Sequence, residues 1–317
     1  MGHEVNTAAS GVSALISRVE QLRQGGDRPS LRRGALAAAL VAFAVMTVIA
    51  IRGLGSAGDD ARWWVVVLAG AVGTLLSQFL NSLEFREIGR ASGTEFGIVE
   101  SVRISLIGSA ANLLPVPGSV AVRIAAINRR GGGVRRGAQM SLGVGGYFIG
   151  TTFVVAGIAQ IVVGRAWLGA LWVAVGCAAS GAAAWLLRPA SSGCGWVLHV
   201  RVVAIEAALI AAGGLRMWLV LIGLGFDVSV SQTVGLTVAG AMTTAVGFFP
   251  AGLGMREALI AGISPLVGLS VSAGLAAGVV DRVFRMAMLA TVALVMLIVD
   301  RRGARTQDES AGDSPNA

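Results

Sequence analysis

The chain of 317 residues has no lysine, two cysteines, two histidines and only 13% charged residues. Each shortage removes a class of function. Cys177 lies in an apolar run and Cys194 in a short loop, with neither metal-ligand spacing nor a disulfide pattern. His3 and His199 have no zinc-ligand partner at useful spacing. A Walker loop, a nucleophile elbow and a zincin motif are all missing, which argues against ATP-driven work by this chain alone and against a recognisable catalytic motif. No catalytic residue, metal or cofactor is therefore expected. So little charge also excludes a soluble domain of this length.

What is present is apolar: 55% of the residues are hydrophobic. Apolar runs of about 18 to 25 residues recur, each long enough to cross a hydrocarbon core of roughly 30 Å as a helix. Membrane barrel strands would be about 10 residues long and alternate in polarity. The expected fold is therefore all-α, a polytopic transmembrane helical bundle. The net charge of +8 rests on arginine alone. In a membrane protein such an excess marks the cytoplasmic side and gives no reason to expect nucleic acid.

Residues 1–33 form a basic segment with no signal peptide. Val12, Leu15, Ile16, Val19 and Leu22 share one helical face, which fits either an interfacial amphipathic helix or a loosely ordered tail, and Arg28, Arg32 and Arg33 hold the N-terminus in the cytoplasm. The membrane domain covers 34–300. Its first span is Gly34 to Ile51, and its second runs from the interfacial Trp63 and Trp64 to about Asn81. The mixed charges Glu84, Arg86, Glu87, Arg90 and Glu95 then read as a cytoplasmic connection, a solvated loop or an interfacial helix, rather than a site.

From Ile98 to Ile127 a simple crossing fails, because Glu100, Arg103, Asn112, Pro115, Pro117 and Arg123 interrupt the apolar residues. The following loop, with Arg129, Arg130, Arg135 and Arg136, is the most basic in the chain. Both ends of the segment thus belong on the cytoplasmic side. A re-entrant hairpin with its tip at Pro115 to Gly118 reconciles them, provided that protein or a water-filled cavity satisfies the irregular backbone. Gln139 to Val163 then crosses outward and Trp167 to Leu187 crosses back, with Gly143, Gly145, Gly146 and Gly150 allowing close helix packing. A helix from about Val202 to Gly225 runs outward to Asp227; it carries Glu206 and Arg216, spaced too widely to be helix neighbours.

Between Asp227 and Arg301 only one net crossing fits, although Val228 to Val246, Ala258 to Leu269 and Val271 to Val299 are all apolar. A second hairpin, entering from outside with its tip at Pro250, Gly252 and Gly254, solves the count. The total is about six full crossings plus two re-entrant hairpins. Residues 301–317 read as a disordered cytoplasmic tail. The two irregular stretches also compare directly. Leu113-Leu114-Pro115 precedes Gly118 and Arg123, while Phe248-Phe249-Pro250 precedes Gly252 and Arg256. Opposite sides of insertion make this an inverted-repeat pattern, in which broken helices meet near the bilayer midplane.

The stretch Asn112-Leu113-Leu114-Pro115 through Gly118 to Arg123, then Pro250-Ala251-Gly252-Leu253-Gly254-Met255-Arg256-Glu257 and later Asp281-Arg282, resembles the lysylphosphatidylglycerol synthase transmembrane region family, also called flippase-like domain proteins. The resemblance covers about residues 34–300. It implies a prokaryotic inner-membrane protein that moves an anionic or modified lipid between leaflets, or that serves a cell-envelope glycan pathway. The implied partners are membrane lipid, either a phospholipid or a polyprenyl-phosphate-linked glycan, and cell-envelope biosynthesis enzymes; a homo-oligomer is left open. The larger synthases add a soluble aminoacyl-transferase domain, which is not expected here. Where related chains carry a charged residue after the first motif, this chain has Gly143 to Gly146.

Charge inside a span costs roughly 2.5 to 3.5 kcal/mol per group, so such groups are expected to face one another or an aqueous cavity. Arg256 and Glu257 are consecutive and point about 100° apart, so each needs a partner elsewhere. Arg282 and Arg285 share a face, with Asp281 beside them. The candidate substrate-binding set is therefore Arg123, Arg256, Glu257, Asp281, Arg282 and Arg285, able to hold a lipid phosphate through bidentate hydrogen bonds. The bland alternative is that Glu257 and Asp281 neutralise Arg282 and Arg285 only to join two helices. The leading expectation is translocation of a lipid or lipid-linked glycan. The alternatives are a non-transporting subunit of a cell-envelope glycosyltransferase pathway and a lipid-modifying enzyme using Glu257 or Asp281 as a general base.

Overall fold

The structure is a computed structural model that describes residue 48 and residues 61–111, 118–188, 195–246 and 255–312. The expected N-terminal segment, the first span and the tip residues Asn112, Pro115, Pro117, Pro250, Gly252 and Gly254 lie outside these. The described residues are helical, with no strand among them. In chain order the helices are α1 (Trp63–Ala91), α2 (Ile98–Ala111), α3 (Gly118–Arg129), α4 (Val134–Val162), α5 (Ala166–Leu187), α6 (Gly195–Gly223), α7 (Val230–Val246), α8 (Met255–Ile263) and α9 (Val271–Gly312). A short 3₁₀ turn, Ser264–Val267, joins α8 to α9.

Four of these helices, α1, α4, α5 and α6, are long and apolar enough to cross a membrane. Their outer faces carry large exposed apolar side chains, including Trp64, Leu68, Val72 and Phe79 on α1 and Trp167, Leu171 and Trp185 on α5. Water would not tolerate such a surface, and lipid would. Two boundaries differ from expectation. α1 continues ten residues past Asn81 to Ala91, so most of the polar connection belongs to the same helix as the span, and α4 begins at Val134 because the loop before it turns on the positive-φ Gly131 and Gly133. Likewise α9 runs on through 301–312, where composition pointed to a tail without fixed structure; no proline interrupts the segment before Pro315.

The shorter helices pair antiparallel. Gly108 near the end of α2 abuts Ser119 at the start of α3, while Glu100 at the start of α2 is bound to Arg130 just after α3. α7 and α8 pair in the same sense, since Gly235 meets Val267 and Gln232 donates a hydrogen bond to the Gly268 carbonyl at 3.1 Å. α2, α3 and α8 have 14, 12 and 9 residues, or roughly 21, 18 and 14 Å at 1.5 Å per residue. The pairs open at opposite ends of the bundle. The first opens where α1 ends and α4 begins, tied there by Arg136 donating to the Ala91 carbonyl at 2.8 Å. The second opens beside the end of α4, where Gln160 donates to the Ser231 carbonyl.

Small residues set the closest helix contact. Along the antiparallel α4–α5 pair, Gly157 faces Gly169 and Gly150 faces Gly176. A Cβ added at Gly157 would lie 2.7 Å from the Gly169 carbonyl oxygen, and one at Gly176 would lie 2.6 Å from that of Gly150. These obstacles are backbone atoms, which cannot rotate away. The apolar core itself divides in two. Val66, Leu168, Met217, Leu221, Leu236 and Ile260 pack at one end, and Phe85, Phe96, Ile127, Met140, Leu187 and Val202 at the other. Between them the inward faces turn polar.

Replacing Gly157 or Gly176 with Ala should therefore destabilise the purified protein in detergent, by about 1–3 kcal/mol as overpacking does. Gly145→Ala, where a Cβ meets nothing within 4 Å, should leave the unfolding temperature unchanged. Equal melting of all three variants would contradict this packing.

Candidate functional site

The polar layer on α1 is a single stripe. Thr74, Ser77, Gln78, Asn81 and Glu84 recur at three- and four-residue spacing, so they lie on one face of the helix. That face, with α6 from Glu206 to Arg216 and parts of α3, α4, α7, α8 and α9, encloses a cavity of about 560 Å³. The volume lies within the usual range for small-molecule sites, about 300–1,000 Å³.

Two charged groups line this cavity. At the level of α8, Asp281 is fully buried and receives two arginines: Arg216 Nε approaches Oδ1 at 2.7 Å, and Arg256 Nη1 donates to Oδ2 at 3.1 Å. Arg282 Nη1 donates to Glu257 Oε1 at 2.7 Å. Adjacent in sequence, Arg256 and Glu257 thus reach different partners one residue apart on α9. Glu257 also sits in the first turn of α8, where the helix dipole favours a carboxylate. Arg285, half-buried, lines the same cavity and makes no hydrogen bond or salt bridge among the described residues.

Nearer the other end, Glu84 and Arg123 form a bidentate pair, with Nη1–Oε1 at 2.8 Å and Nη2–Oε2 at 3.3 Å. Glu206 faces this pair, is 1% exposed, and its Oε2 has no hydrogen-bond partner. Glu206 and Arg216 are ten residues apart on α6, so the two groups are separated by about 15 Å along the helix axis.

Of the expected set, Arg256, Glu257, Asp281, Arg282 and Arg285 are brought together, whereas Arg123 belongs to the second group. Gly118 is the buried first residue of α3. The pairing also differs from the simple neutralisation of Arg282 and Arg285 by Glu257 and Asp281. Asp281 takes Arg216 and Arg256, leaving Arg285 over. Glu84 corrects the reading of residues 84–95 as a solvated connection: it is 5% exposed inside α1 and paired across the bundle. Glu206 and Arg216, whose depth sequence did not fix, are both buried in the cavity wall. The spacing of the α1 stripe was the available signal for Glu84.

A glycine makes the Arg216 contact feasible. The arginine stem lies across Gly73 of α1, where an added Cβ would be 2.6 Å from Cδ and 3.0 Å from the Arg216 Cβ. At the basic end, Arg130 binds Glu100 at 2.7 Å and stacks 4.7 Å from the Phe96 ring centroid, closing the open end of the α2–α3 pair. Tyr147 Oη and His199 Nδ1 are 2.7 Å apart, which ties α4 to α6 outside the cavity lining. Among the described residues no group of three His, Cys, Asp or Glu side chains could hold a metal ion. No family model and no curated protein matches the chain.

Removing one partner of a buried pair strands a charge, at a cost of about 3–5 kcal/mol. Glu257→Gln should therefore destabilise the protein by that order in detergent melting, and Glu257→Gln with Arg282→Gln should recover most of the loss. Additive losses in the double variant would contradict the pairing.

Proposed function

We propose that the protein is a lipid flippase that conducts an anionic headgroup through the cavity while the acyl or polyprenyl tails stay in the bilayer. The observation that carries this reading is the surplus of cations in the wall of the cavity. Among the described residues, the carboxylates beside Arg216, Arg256, Arg282 and Arg285 are Asp281 and Glu257. A pairing whose only task was to join helices would need no fourth arginine, and a guanidinium in the cavity wall with no carboxylate of its own among the described residues is unfavourable unless something anionic visits it. Arginine suits a phosphate because its planar fork donates two parallel hydrogen bonds.

In this reading α2–α3 and α7–α8 are re-entrant hairpins, together with about six full crossings. Their lengths support it, since α2, α3 and α8 fall short of a core roughly 30 Å thick. Their openings at opposite ends support an inverted repeat whose limbs meet at the cavity. Arg129, Arg130, Arg135, Arg136, Arg188 and Arg201 gather at the end where α2–α3 opens, whereas Arg62 and Arg165 mark the other. By the positive-inside rule the first end is cytoplasmic, and the inner membrane of a prokaryote is what the family resemblance implies. The resemblance to flippase-like domain proteins points the same way. No bond is made or broken in this process.

Arg285 separates function from stability. In proteoliposomes, Arg285→Ala should slow translocation of fluorescent phosphatidylglycerol by about tenfold or more, as when a charge-assisted hydrogen bond of about 1.5–3 kcal/mol is lost. Its melting should change by less than about 0.5 kcal/mol, because no partner is stranded. Full transport by the variant would remove Arg285 from the path, and wild-type translocation equal to empty vesicles across anionic lipids would overturn the flippase reading.

A further inference from the structure

Three carboxylates near the cavity have an arginine: Glu84 has Arg123, Glu257 has Arg282 and Asp281 has two. Glu206 is the exception. It lies on α6 with its Oε2 buried and unpartnered, and it lines the cavity. The groups around it are few. Glu84 of α1 and Arg123 of α3 face it directly and are already bound to each other. From α4 the nearest titratable side chain is Tyr147, bonded to His199 of α6 itself. α7 carries no titratable side chain from Val230 to Val246. Asp281, Arg282 and Arg285 of α9 stand at the level of Arg216, about 15 Å along α6.

Among the described residues Oε2 has no donor, and the arginine that faces Glu206 is already bound to Glu84, so a proton on Oε2 would satisfy it where no cation does. The cavity is roomy and polar enough to hold water; the Ser141 and Thr74 hydroxyls in its wall are also buried without partners. Water there can deliver a proton to Oε2 and take it back. The charge count then matters. Five arginines against four carboxylates leave the cavity one positive charge in excess, and protonation of Glu206 raises the excess to two.

We propose that Glu206 is a proton-binding site of the cavity, and that a proton on Oε2 and an anionic headgroup at the arginines favour each other's binding. The coupling half rests on the flippase reading; the proton site itself does not. Binding linkage is reciprocal, so a headgroup that binds better to the protonated cavity also draws a proton in. One charge acting over about 15 Å at an effective dielectric of about 20 changes affinity about sixfold.

Infrared difference spectra of the purified protein between about pH 5 and about pH 8 test the proton site without any added lipid. A protonated-carboxyl C=O band that titrates in the wild type and is missing in Glu206→Gln supports it; a band unchanged in Glu206→Gln, or no titrating band, overturns it. Binding of fluorescent phosphatidylglycerol, whose phosphodiester keeps its charge over this range, tests the coupling. Wild-type affinity should fall about sixfold from the lower to the higher pH, while Glu206→Gln should keep the low-pH affinity throughout. A pH-independent wild type, or sodium dependence in place of pH dependence, overturns the coupling. Loss of transport with the infrared band intact would count against the flippase reading and leave the proton site standing.

Discussion

Asp281 holds the bundle's charged interior together. It is fully buried on α9 and receives Arg216 from α6 and Arg256 from α8. Three helices from distant parts of the chain are thereby fixed at one depth, and other features follow from the need to make that contact. Gly73 clears α1 so that the Arg216 stem can lie flat against it. The short α8 begins just where Arg256 and Glu257 must meet α9. Both partners would be prohibitive alone in an apolar setting, and together they are tolerable because geometry and hydrogen bonding repay their desolvation.

The same constraint explains why the protein keeps two apolar cores rather than one. Charged and hydroxylic side chains of α1, α3, α6 and α9 cannot join a hydrocarbon interior, so they separate the two packed ends and leave a cavity between them. Glycine-to-glycine contact of α4 with α5 stiffens one wall, while the two antiparallel helix pairs close the cavity from opposite ends. A scaffold of this kind offers a polar path inside an apolar shell. Its charge is uneven along that path, cationic around Arg285 and acid-rich around Glu206.

Much of this was legible in the sequence. Run length and hydropathy pointed to helices, and the isolated charges on α8 and α9 pointed to one another. Glu84 was misread because a cluster of charges at a span's end resembles a loop; only the Thr74–Ser77–Gln78–Asn81 spacing, continued one turn, would have revealed it as part of an inward stripe. Arg123 was grouped with Arg256 by motif analogy, yet its partner was a side chain 39 residues earlier on another helix. Such pairings depend on which helices neighbour one another, and a single sequence does not carry that information. Glu206 and Arg216 were visible as charges in an apolar helix, but their depth follows only from packing.

The central claim is that the surplus arginines exist to receive an anionic headgroup. A structure determined in nanodiscs of phosphatidylglycerol tests it most directly. The account predicts a lipid phosphate inside the cavity, within hydrogen-bond reach of Arg285 and Arg256, with its acyl chains directed outward between helices. A cavity holding only water, with Arg285 turned onto a protein carboxylate and lipid confined to the outer surface, would contradict it.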